Sequence, residues 1–403
     1  MIRRAGAALL ALALLCGGCG GEEYVAPPPA KASSAVDATA ATSTVTALQQ
    51  ALVAGDRAAA ERLGADGPAQ QLLAAVAGNV RELGLREVTL RYVTETGRTR
   101  GADGWDGLVA LTWRMPGSAT AAARLELPFS FADGGHAVSA IGGTSGRLPL
   151  WLAGPVTVRR VPGAVVVGEG AAADLASYAR WARQAVVESR DVVEKDAVLV
   201  VEVPADTTAL HRALGADAGE YAAIAAVTAP ADGSRVPDAP VHVFLNRAVY
   251  DDLDPVAAQV VMTHEAVHAL TGAVLAGGAP LWLVEGFADY VALRDLDLPL
   301  DRTAGQVIEE VRRDGLPDAL PADTDFSPGA SHLGGVYEAA WQVAVTLAER
   351  RGEAALVALY RAVLDGTKLA PALRSGFGWS EAELTTAWQE RLATLAGVPE
   401  QAP

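Results

Sequence analysis

Cysteine is nearly absent from this chain of 403 residues: there are two, Cys16 and Cys19, and none follows. Everything after residue 19 therefore lacks a disulfide, a thiolate metal ligand and a cysteine nucleophile. Positive charge is also scarce. Lys and Arg number 32 against 48 Asp and Glu, a formal net charge of −16. Nucleic acid is thereby excluded as an expected partner, because phosphate binding requires a basic face. An anionic membrane surface would likewise repel the folded part. The apolar run at residues 5–15 is too short to span a bilayer. Histidine is rare too, with six residues at 136, 211, 242, 264, 268 and 332. No internal repeat is present. What remains is a globular composition, 51% hydrophobic and 20% charged, in a chain long enough for two or three domains.

The short apolar run follows Arg3 and Arg4 and has the length of a signal-peptide core. Leu15-Cys16-Gly17-Gly18-Cys19 comes next, and the small residues before Cys19 resemble a bacterial lipobox, with Cys16 where a Leu is common. Residues 1–19 are thus expected to be a leader, and Cys19 is the expected lipidation site. The alternative is a plain secretory signal. Residues 20–44 are rich in Ala, Pro, Ser and Thr, include Pro27-Pro28-Pro29, and read as a flexible tether. An exported protein, held by lipid on the outer face of the cell membrane, is the corresponding localisation.

Residues 45–153 read as an α+β unit. Helical spacing over 45–63 and 69–82 is followed by β-rich runs at 87–93, 107–115, 123–131 and 136–141. Trp105 and Trp113 are expected in its core. This order of elements resembles the NTF2-like and cystatin-like folds, in which helices pack on a curved sheet. Residues 155–397 read as a second α+β domain, with sheet first and helices after. A hairpin is expected at 157–168, a helix with Trp181 on its apolar side at 174–193, and strands at 197–203 and 241–246. Helices are expected at 207–215, 255–270, 280–293, 335–351, 353–364 and 381–395. Pro280 suits a first helical turn. His242, inside an apolar strand, is expected to be structural, and His136 and His211 have no suggestive neighbours.

The chemistry centres on His264-Glu265-Ala266-Val267-His268. Two histidines four apart on a helix face the same way, because one turn takes about 3.6 residues. Their imidazoles can grip one Zn²⁺, with Glu265 beside the bound water. A catalytic zinc needs a third protein ligand. A His six residues after the second is excluded, since Val274 stands there. Glu285 follows His268 by 285 − 268 = 17 residues, enough for a turn and a second helix. Trp282, Leu283 and Phe287 mark that helix as buried, and a buried carboxylate needs a partner. Asp289 lies one turn beyond Glu285, placed to accept the free N–H of a liganding imidazole.

This pattern, with Pro280-Leu281-Trp282-Leu283-Val284-Glu285-Gly286-Phe287-Ala288 around it, resembles the gluzincin, or peptidase MA-like, metallopeptidases. They carry H-E-x-x-H on one helix and E-x-x-x-D on the next. The resemblance covers residues 253–366 well, including Gly335-Val336-Tyr337 and the helical stretch to residue 364. It implies a small sheet joined to a helical lobe and one Zn²⁺ held by His264, His268 and Glu285. It also implies peptide-bond hydrolysis with Glu265 as general base. Tyr337, by its place in the family-like helix, is the candidate oxyanion donor; His332, after Pro328-Gly329-Ala330-Ser331, is the competitor. A G-x-M-E-N motif is missing, and with it the amine anchor of the M1 aminopeptidases. The expected cleft lies between the 241–246 strand edge and the motif helix, where an extended peptide or protein substrate could add as a strand. A non-catalytic binding or assembly lipoprotein, with a structural or vestigial zinc site, is the alternative. Oligomeric state leaves no trace in the sequence.

Overall fold

The computed structural model describes residues 36–399, except 101–103, 118–119, 144–145, 171–172, 191, 194–196 and 328–331. The leader, Cys19, most of the tether and residues 328–331 lie outside the described residues. The fold is mixed α+β.

The first helices are α1 (Ala38–Ala54), α2 (Arg57–Glu61) and α3 (Gly67–Leu83). Asp37 starts α1 by accepting the N–H groups of Thr39 and Ala40, and Ala40, Ala41 and Thr44 are buried. The end of the expected tether, residues 38–44, is therefore helix: a cap and a packed face outweigh its low-complexity composition. The expected single helix over 45–63 is also two. Gly55 adopts φ 65° and ends α1, and Asp56 caps α2 through the Ala59 N–H. Next comes an antiparallel meander in the order β1 (Arg86–Arg100), β2 (Gly104–Arg114), β3 (Ala123–Ala132), β4 (Ala137–Ile141). Alternating residues of this sheet point at the helices. Trp105 stacks on Phe131 at 4.9 Å and both are fully buried, as is Trp113.

A short helix, α4 (Leu150–Ala153), leads to the second sheet. Its strands are β5 (Val156–Val161), β6 (Ala164–Glu169), β7 (Leu199–Val203), β8 (Ala226–Pro230) and β9 (Val241–Leu245). Helices α5 (Ala176–Ser189), α6 (Thr207–Leu214) and α7 (Arg247–Tyr250) are interleaved or follow. The spatial order is β5-β6-β7-β9-β8, with β6-β7-β9 parallel and both outer strands antiparallel. The expected edge strand, β9, is thus interior and β8 forms the edge. β8 escaped the sequence reading because five residues of Ala, Val, Thr and Pro are a weak strand signal. Both faces of the sheet are covered. Val165, Val167 and Val200 join the core of the first sheet and its helices, whereas Val166, Val201 and Val243 pack against α5 and the motif helix.

The helical lobe comprises α8 (Pro255–Thr271), α9 (Leu281–Leu293), α10 (Leu300–Thr303), α11 (Gly305–Asp314) and α12 (Leu333–Arg351). Helices α13 (Glu353–Leu364), α14 (Leu369–Phe377) and α15 (Glu381–Ala396) close the chain. Its core gathers Trp282, Phe287, Leu347, Tyr360 and Trp388, with Phe287 stacked on Tyr360 at 3.8 Å.

Candidate metal centre

Two helices set the site. Asp254 caps α8 by accepting from Val256 and Ala257, Pro255 occupies its first turn, and Gly272 at φ 71° ends it. His264, Glu265 and His268 therefore sit in the second half of a well-bounded helix. Pro280 is the residue before the first turn of α9, and the Leu281 N–H is capped from a distance by Asp323 at 2.8 Å. Helix α9 then lies against α8 and brings Glu285 and Asp289 to His264.

Gly286 makes a third helix part of the arrangement. A Cβ there would stand 2.2 Å from the Ala340 carbonyl oxygen of α12, so only a hydrogen fits. This close approach puts Tyr337, one turn earlier on α12, beside the histidines; its ring centre is 6.3 Å from that of His264.

His264 Nε2, His268 Nε2 and Glu285 Oε2 form a nearly equilateral triangle, with separations of 3.0, 3.1 and 3.1 Å. His264 Nδ1 lies 2.7 Å from Asp289 Oδ1. With that N–H donated to Asp289, a neutral His264 turns its Nε2 lone pair to the triangle. His268 has no such partner: its Nδ1 is buried without a hydrogen bond among the described residues. The donor set fits zinc. Two imidazole nitrogens and one carboxylate are its usual catalytic ligands, and bonds of about 2.0–2.2 Å can cap a triangle of this size. Among the described residues this is the one cluster of three or more such side chains able to share an ion.

Charge follows the same geometry. Burial disfavours a charged His264, but Asp289 and Glu285 outweigh it and hold its pKa well above the ordinary imidazole value in the metal-free protein. Burial would raise Glu285, yet His268 and His264 hold it far below the usual carboxylate range. Burial, then the negative field of Glu285, Asp289 and Glu265, pushes the Tyr337 phenol well up. Tyr337 therefore keeps its proton and remains a donor.

The other expected participants fall in different places. Glu265 is half-buried on α8, and its carboxylate accepts a hydrogen bond from Thr228 of β8. His332 is exposed at the start of α12, at φ 69°, and its Nδ1 lies 3.3 Å from Glu310 of α11. No contact links it to the triangle. His242 is buried and 2.6 Å from Glu202. Thr228 went unnoticed in the sequence, where nothing in Ala225-Ala226-Val227-Thr228-Ala229 signals a contact with a residue 37 positions away. A cavity of about 230 Å³ adjoins the site, walled by Asp289 and Tyr337 together with Val260, Leu293 and Trp341.

No protein-family model matches the sequence, and no curated protein matches it. Among solved structures, the chain is similar to an M1 zinc metallopeptidase from Deinococcus radiodurans, with a TM-score of 0.31 and 14% identity, covering 80% of this chain and 62% of that one. A point mutant of an M1 zinc metallopeptidase from the same organism gives 0.33 and 13%, over 80% and 64%. The chain thus spans less than two thirds of the length of these proteins.

Proposed function

We propose that this protein is a zinc-dependent metallopeptidase, exported and anchored to the outer face of the cell membrane through lipid on Cys19. The observation that carries the catalytic part is the triangle of lone-pair donors formed by His264, His268 and Glu285. The anchoring part rests on the leader and the small residues before Cys19.

Zinc, when bound there, supplies a Lewis acid that polarises a peptide carbonyl and acidifies water. The remaining work belongs to side chains of this protein. Glu265, next to a ligand but outside the triangle, accepts the proton of the attacking water and passes it to the leaving amine. The protonated Tyr337 hydroxyl donates to the oxyanion that develops on the carbonyl, and burial strengthens that hydrogen bond. Asp289 keeps His264 in one tautomer and orientation. The β8 edge offers main-chain groups to an extended peptide, and the cavity beside Asp289 and Tyr337 has room for a substrate side chain.

Metal analysis of the purified chain, with digestion of a peptide library in the presence and absence of a chelator, tests the reading. About one zinc per chain and chelator-sensitive cleavage are expected. Peptide binding without turnover by the zinc-loaded protein would overturn it in favour of a binding lipoprotein.

A further inference from the structure

We infer that Thr228, on the edge strand, is a positioning residue for the general base: its hydroxyl selects the rotamer of Glu265 and the oxygen that faces the reaction. The inference rests on the peptidase reading above.

Strand β8 lies alongside α8 as well as β9. Thr228 Oγ1 hydrogen-bonds to Glu265 Oε2, and it also lies 3.1 Å from the main-chain oxygen of the same residue. One hydroxyl thus touches both the carboxylate and the helix position from which it projects. No other hydrogen bond reaches the Glu265 carboxylate among the described residues. A glutamate has three rotatable bonds between backbone and carboxylate, so without a partner it populates several staggered rotamers. A base must reach the proton it removes to within about 2.6–3.2 Å, which one rotamer satisfies and its neighbours do not. With Oε2 engaged by Thr228, Oε1 is left to take the proton.

The position in the sheet adds a second consequence. β8 is antiparallel to β9, with Thr228 opposite Val243, and its other side is the free edge. The strand that would align an extended substrate is therefore the strand that holds the base. Substrate main chain and proton acceptor share one rigid support, the arrangement that preserves a near-attack geometry.

The test uses the full zinc-loaded chain as wild type, Thr228→Ser and Thr228→Val, with a peptide that the wild type cleaves. Valine keeps the shape and removes the hydroxyl; serine keeps the hydroxyl. Thr228→Val is expected to retain about one zinc per chain and the wild-type KM and melting temperature, while kcat falls about 10- to 100-fold. Thr228→Ser is expected to restore most of kcat. A crystal structure of Thr228→Val is expected to show the Glu265 carboxylate in more than one rotamer. Wild-type kcat in Thr228→Val, a rate loss accompanied by zinc loss, or a single unchanged Glu265 rotamer would each overturn the assignment. If the zinc-loaded wild type cleaves no peptide, the peptidase reading fails by itself, and the rotamer of Glu265 in Thr228→Val still decides the positioning role.

Discussion

His242 with Glu202 and His264 with its neighbours are both pairings of imidazole and carboxylate, the first buried between strands β7 and β9 and the second part-buried between helices α8 and α9. At His242 one nitrogen and one oxygen share a hydrogen at 2.6 Å, so that those two atoms satisfy each other. At His264 the hydrogen goes outward to Asp289, leaving His264 Nε2, His268 Nε2 and Glu285 Oε2 facing one another at 3.0–3.1 Å. Lone pairs that converge without a hydrogen between them repel, unless a cation or a proton joins them. A histidine–carboxylate contact is therefore no sign of a metal. Convergence of three such atoms within reach of one ion is an arrangement that could hold one.

The contrast breaks most completely at His268. His268→Ala is expected to abolish zinc binding and, with it, hydrolysis, because two ligands cannot hold what three did. Full zinc occupancy in the purified variant would show that the triangle is not the ligand set. Next in size is Glu265→Gln, which keeps the shape and removes the base. Zinc content should match wild type while hydrolysis drops by roughly two or more orders of magnitude, measured as kcat on a cleaved peptide. Retained turnover would assign the base elsewhere.

Tyr337→Phe removes one hydroxyl from a ring held between Phe326 and His264. A fall in kcat of about 10²-fold with little change in KM is expected, the pattern of a contact made only in the transition state. A larger effect from His332→Ala would move the role to that residue. The smallest effects sharpen the comparison itself. Asp289→Ala should weaken zinc about 10- to 100-fold in a chelator competition. Glu202→Ala should leave zinc affinity untouched and cost about 1–3 kcal/mol in denaturant unfolding, since it strands a buried imidazole. Equal zinc affinities in the two variants would erase the distinction between the clusters.

Much of this site was legible because it is local. His264, Glu265 and His268 share one helical turn, and Glu285 and Asp289 share another, so spacing alone put them on common faces. The caps that bound α8, Asp254, Pro255 and Gly272, are also local signals. What was illegible depends on residues far apart in sequence. Tyr337 was named by the resemblance alone, since its approach to His264 follows from helix packing at Gly286. The Thr228 contact follows from which strand ends the sheet, and Ala226–Pro230 carries too little β character to announce itself. Helix α11 is a different case: Val307, Ile308 and Val311 are buried at helical spacing, yet charged neighbours masked the pattern. At the other end, Asp37 outweighed the tether-like composition of residues 38–44 by capping a helix with a buried face.

Gly286 takes no part in proton transfer and offers no atom to a ligand. The hydrogen that stands in place of a Cβ nevertheless sets the distance between α9 and α12, because the Ala340 carbonyl leaves space for nothing larger. Glu285 is measured from one of those helices and Tyr337 from the other. The position behaves as a spacer whose gauge is a single atom, so even an alanine would drive the helices apart and separate the two functional groups. In a mutational survey scored by activity, residue 286 would pass for part of the reactive machinery, although its whole contribution is the room it leaves empty.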